Sequence, residues 1–262
     1  MQGHIHQSTV EQLTLMLPFL LLIGVYIFAG VFSNQRHKAW PLHRYFFWIF
    51  GVFSAAGAVV GPIADRAHMD FTAHMTGHLL LGMLAPLLIA ISAPITLILR
   101  TLSVKWSRRL TRVLKSRFFQ VVSDPAVAAL LNVGGLWLLY TTDLFSAMHD
   151  SLVLHVSVHL HVFLAGYLFT VSMIYMDPTP HHRSFQYRGV VLILALGGHA
   201  ILSKYLYSHP PAGVPSGQAE VGAMIMYYGG DVIDIVLITI FCFQWYKAAR
   251  PRTKSMCQPQ LN

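Results

Sequence analysis

The sequence predicts an all-α polytopic membrane protein: one bundle of seven transmembrane helices spanning residues 1–262, N-terminus outside and C-terminus cytoplasmic. Three observations predict it. The chain is 55% hydrophobic and only 11% charged, where a soluble domain carries about 25% charged residues. Seven apolar segments follow one another, each near the ~20 residues that cross a bilayer. Finally, Lys and Arg alternate between the loops in a way that only an odd number of spans satisfies.

The segments are roughly 13–33, 45–62, 75–99, 126–141, 151–176, 188–207 and 224–246. The fourth is short, and Pro86 and Pro94 interrupt the third. Prolines are tolerated in membrane helices where neighbours re-satisfy the backbone. The residues before the first segment, MQGHIHQSTVEQ, carry no basic stretch, so that segment is expected to stay as a span.

Of the Lys and Arg residues, only Arg66 and Lys204 fall on the outer side. The others sit after segments 1, 3, 5 and 7, including Arg36, Arg100, Arg183, Arg188 and Lys247. A net charge of +8 could suggest nucleic acid, but charge confined to loops between spans sets topology instead. Two cysteines, Cys242 and Cys257, cannot build a disulfide framework. Between segments 3 and 4, Trp106, Leu110, Val113, Leu114, Phe118 and Val121 recur at helical spacing among basic residues. This predicts a basic interfacial helix at about 105–122, lying on the anionic inner leaflet.

The 15 histidines are distributed unevenly. All except His37, His43, His181 and His182 fall on the outer side or in the outer half of a span. His74 and His78 are four apart at the start of segment 3, and His155 and His159 are four apart near the start of segment 5. That spacing puts each pair on one helix face. His199 lies in segment 6, and Asp231 and Asp234 share a face of segment 7. At about 1.5 Å per residue, His159, His199 and Asp231 reach a similar depth of roughly 10–12 Å, with His78 shallower. Ionisable side chains at that depth are costly, and clustering them around a cation offsets the cost. The predicted metal ligands are therefore His74, His78, His155, His159, His199, Asp231 and Asp234.

Each feature also has a plainer reading. His4, His6, His68, His149, His161 and His209 suit wet loops or ordinary hydrogen bonds. Asp231 and Asp234 could pair with Lys204. Gly197–Gly198 and Gly229–Gly230 could serve helix packing alone or bring His199 and Asp231 to close crossings. Imidazole suits copper, zinc, iron and nickel. Met69, Met75, Met83, Met148, Met224 and Met226 on the outer half add thioethers that favour Cu(I), so copper is the expected metal and zinc the alternative.

Three runs carry a resemblance: HMTGHLLLGMLAPLLIAISAP (74–94), LVLHVSVHLHVFLAGYLF (152–169) and HAILSKYLY (199–207). Together they resemble the CtaG family of multi-span assembly factors linked to caa-type cytochrome c oxidases, distinct from the single-span copper protein of the same name. The resemblance covers spans 2 to 7. It implies a non-enzymatic role in haem–copper oxidase biogenesis in the bacterial plasma membrane. It further implies copper delivery to the CuB centre, with oxidase subunit I as client. Carried over by position, it points to His74, His78, His155, His159 and His199; Asp231 and Asp234 rest on their own spacing. Other readings are a ceramidase-like zinc hydrolase using Asp231 or Asp234 as base with Ser157 or Ser203 nearby, a haem protein, and a copper permease. Oligomerisation is left open.

Overall fold

The computed structural model describes residues 2–250, with side chains from residue 12 onward. Arg252, Lys254 and Cys257, and the side chains of His4 and His6, lie outside the described residues. The protein is 83% helix, and no strand occurs among the described residues.

Helix α1 (Gln2–Asn34) lies at the periphery. Only 11% of its apolar window is buried, and Leu13, Leu17, Leu21 and Phe28 point outward. Such a face needs hydrocarbon around it. Helix α2 (Leu42–Ala67) bends at Gly61, whose φ of 95° suits glycine. Helix α3 (Phe71–Thr101) is central, with 56% of its window buried. Next come the short α4 (Val104–Leu114) and α5 (Arg117–Val122). Helix α6 (Pro125–Thr141) is bent by 78° against α7 (Leu144–Asp150). Helices α8 (Leu152–Met173), α9 (Phe185–Ser208) and α10 (Ser216–Ala249) complete the bundle. Six helices are long and apolar enough to cross a membrane, and the bent α6–α7 pair makes a seventh if counted as one span.

Several expectations are refined. The single helix expected over 105–122 is two, broken at Lys115–Ser116, where the Ser116 hydroxyl accepts from the Phe119 amide and starts a new helix. Beside the break, Arg100, Arg108, Arg112, Lys115 and His37 line a basic cleft of about 710 Å³. Arg188, expected in a loop, is instead 1% exposed inside α9. Its guanidinium donates to the Met173 carbonyl at 2.6 Å and packs on Tyr175 and Phe185 at 4.0 and 4.3 Å. Aromatic faces and a carbonyl take the place of water there.

Within α3 the chain passes through Ala93 in the left-handed conformation (φ 54°, ψ 59°), and Pro94 restarts the helix. Pro94 has no amide proton, and the next two amides, Ile95 and Thr96, donate to the Asp177 carboxylate at 3.2 and 2.7 Å. The Thr96 hydroxyl adds a third bond at 2.6 Å. Burial pushes the Asp177 carboxyl above its ordinary range, and the Thr96 bonds oppose that shift. Asp177 thus caps a helix distant in sequence. Asp177→Ala is expected to cost about 1–2 kcal/mol, read as a Tm lower by a few degrees in detergent.

The two largest apolar clusters lie toward opposite ends of α3, α9 and α10. One gathers Phe71, Met75, Leu139, Tyr140, Met148, Leu202, Leu206 and Met226. The other gathers Leu87, Ile91, Phe169, Met173, Leu192, Leu237 and Phe241. Along α3, α9 and α10 the buried polar residues His78, His199 and Asp234 fall between them. Wide π turns occupy the same gap at Leu80–Leu84 in α3 and Leu130–Gly134 in α6, and a third at Ile225–Gly229 in α10 borders it. Such turns recur at functional sites.

Candidate metal centre

Local capping sets the register of the histidine-bearing helices. Asp70 accepts from the Thr72 amide at 2.8 Å at the start of α3. Ser151 accepts from the Leu154 amide at 3.4 Å at the start of α8. From there, four-residue spacing carries His74 and His78 inward on α3, and His155 and His159 inward on α8.

His74, His78 and His159 meet around a cavity of about 20 Å³ whose wall includes Tyr140, Leu139, Val158 and Val162. A cavity of this size holds one water-sized particle. The His74 and His159 rings are 6.4 Å apart. The His74 Nε2 bonds the Tyr140 hydroxyl at 3.1 Å. The His199 ring, outside the cavity lining, lies 6.4 Å from that of His78 in a near-parallel plane. Toward the helix end, His155 stacks on His159 at 4.2 Å.

Hydrogen bonding orients these rings. The His159 Nδ1 lies 2.9 Å from the His155 carbonyl, which can only accept. His159 is therefore the Nδ1–H tautomer, with the Nε2 lone pair left open. This is how metal-binding imidazoles are commonly held. The Nε2 atoms of His78 and His199 are buried with no hydrogen-bond partner among the described residues. An unsatisfied buried polar atom costs about 1–3 kcal/mol, and native proteins hold few of them.

Glycines make the arrangement possible. The Gly82 carbonyl of α3 lies directly against Gly166 of α8. At Gly230, an added Cβ would sit 2.8 Å from the His199 Cε1. Gly198 and Gly229 likewise pack on Val133 and Leu79, but nothing lies within 4 Å of the Gly197 position.

The predicted ligands divide into three groups. His74, His78 and His159 share the cavity, while His199 and His155 flank it. Asp234 is buried, whereas Asp231 is exposed on the bundle surface. Three residues at about 100° each separate the two by about 60° around the helix, and the bundle edge runs between them. Neither pairs with Lys204, whose ammonium lies over the Tyr227 ring at 5.3 Å. Among the described residues the only ion pair joins Arg183 and Asp124. Met75, Met148 and Met226 are fully buried in the apolar cluster, so they serve as core and not as an outer relay. The hydroxyls of Ser157 and Ser203 donate to the Val153 and His199 carbonyls of their own helices.

Sequence reasoning missed three residues. Tyr140 comes from the short α6, where no spacing signal marks it. His68 and His149 stand in loops or helix ends, and the fold brings the His68 ring to 5.2 Å from His155 and the His149 ring to 6.5 Å from His68. Their one signal in the sequence is that each lies six residues before a histidine of a predicted pair.

The donor set fits a soft or borderline cation. It is imidazole at the core, with two buried, unpartnered Nε2 atoms and a cavity of atomic size. Among the described residues no three His, Cys, Asp or Glu side chains converge on one point. Ligation would therefore need small ring rotations toward the cavity.

An α-helical membrane bundle with a histidine-lined interior is the class these features define. The chain belongs to the cytochrome c oxidase caa3 assembly factor family (Caa3_CtaG), whose match runs over residues 24–248. It is similar to uncharacterized mycobacterial proteins. One from Mycobacterium bovis and one from Mycobacterium tuberculosis are each 29% identical over 64% of this chain and 26% of their own length. A third, from Mycobacterium leprae, is 27% identical over 86% of this chain and 38% of its own length. The chain thus spans about a quarter to two-fifths of the curated relatives it matches. No solved structure matches.

Proposed function

We propose that this oxidase assembly factor holds copper at His78 and His199, with His74 and His159 completing the site, and releases it to the CuB centre of subunit I. The supporting observation is the pair of buried, unpartnered Nε2 atoms on neighbouring rings, one of them on His78 in the wall of an atom-sized cavity. Copper here is cargo. Imidazole lone pairs hold it, and apolar walls from Leu139, Val158 and Val162 keep water away. With few strong ligands converging, release by ligand exchange stays accessible. The setting is the bacterial plasma membrane, with the histidine end facing outward as the charge alternation predicts.

Metal analysis of detergent-purified protein tests this reading. Stoichiometric copper is expected in the native protein, with a clear loss in His155→Ala/His159→Ala. Stoichiometric zinc in its place would favour the hydrolase chemistry, and no metal at all would sink the reading.

A further inference from the structure

Beyond the cavity, a second group of metal donors gathers at the histidine end. A vestibule of about 270 Å³ is lined by His68, Met69, Asp70, His149 and Asp150, among others. These residues come from the α2–α3 loop and the end of α7, and α8 brings His155 alongside. Three features of this group point to a ligand.

First, the imidazoles form an unbroken file. His149 to His68 is 6.5 Å between ring centroids, and His68 to His155 is 5.2 Å. His155 to His159 is 4.2 Å, and His159 borders the cavity. Second, His149 is held like His159. Its Nδ1 lies 2.8 Å from the Phe145 carbonyl, so the proton is on Nδ1 and the Nε2 lone pair is open. Third, Met69 is 88% exposed at the rim, a soft donor turned outward where Met75, Met148 and Met226 are buried.

We propose that His68, His149 and Met69 form a capture site for Cu(I)-class cations at the bundle mouth, which passes the cation through His155 and His159 to the interior cavity. This rests on the copper reading above and adds a separate site with a separate role. Each step exchanges one imidazole lone pair for the next on the same cation. No electron is transferred and no bond in the protein breaks. Asp70 and Asp150 beside the vestibule draw cations toward it. The exposed rings of His68 and His149 can turn to meet an incoming ion at less cost than the buried rings.

A capture site that lies outside the final site changes rates and leaves the end state alone. The test follows loading of detergent-purified protein with Cu(I), supplied anaerobically as its bicinchoninate complex. His68→Gln/His149→Gln keeps volume and polarity on exposed positions, and size-exclusion profiles check its fold. Its loading and unloading are expected to slow together by about tenfold, with unchanged copper content and Kd. His78→Leu/His199→Leu is the control, expected to lose the end point. An unchanged loading rate in the Gln variant would overturn the capture site while leaving the copper reading intact. Lost copper content in that variant would overturn the division into two sites. If the native protein takes up no Cu(I), the copper reading fails and the capture site with it.

Discussion

Replacing His78 and His199 by leucine is expected to abolish tight copper binding and, at the same time, to raise the stability of the metal-free protein. Both Nε2 atoms are buried without a partner, so the apo fold carries their desolvation cost. Leucine of similar volume removes it, a gain of about 1 kcal/mol or more per site. Copper affinity moves the other way. Even an outer-shell partner is worth 10–100-fold, so losing direct ligands should weaken binding by about 100-fold or more. Thermal melting with and without Cu(I) reads both effects. The native protein should gain stability from the ion, about 2.7 kcal/mol at 100 times Kd. The variant should start higher and gain nothing. A variant less stable than the native apo protein would show that the imidazoles are structural.

Gly166→Ala should be the most damaging small substitution in the bundle. The new methyl would overlap the Gly82 carbonyl and crowd Pro86 at 3.2 Å. Backbone cannot rotate away as a side chain can, so α8 must move off α3. Overpacking of this kind costs about 3 kcal/mol or more. The shift also draws His159 from the cavity wall, so copper affinity should fall along with Tm. Gly197→Ala is the matched control. Nothing lies within 4 Å of its added methyl, so a gain of about 0.5–1 kcal/mol from helix propensity is expected.

These two positions also mark what the sequence reveals. The apolar segments and the loop charges lead directly to the helices, because lipid permits few spanning structures. Four-residue spacing correctly places His155 against His159 and sets His74 and His78 on one cavity. Spacing does not say where the bundle edge runs around a helix, which is why Asp231 falls outside and Asp234 inside. It does not separate Gly197 from Gly198 either, since which glycine meets a neighbour depends on helix rotation. The bend at α6–α7, the Ala93 joint and the π turns leave no trace in hydropathy. His68 and His149 are joined to the site only by tertiary folding.

The wide turns also bear on how this chain can vary. Each holds one residue more than an α-helix needs. In a regular α-helix a residue added or lost rotates everything beyond it by about 100°, whereas a wide turn absorbs its extra residue with little net rotation. Leu80–Leu84 begins two residues after His78, and Ile225–Gly229 directly precedes the glycine that packs on His199. Losing one residue there would restore a regular helix and leave the two halves of the bundle in register. These stretches should therefore accept the loss of a single residue. A change of length in the regular helix beside them would turn one half of the site away from the other.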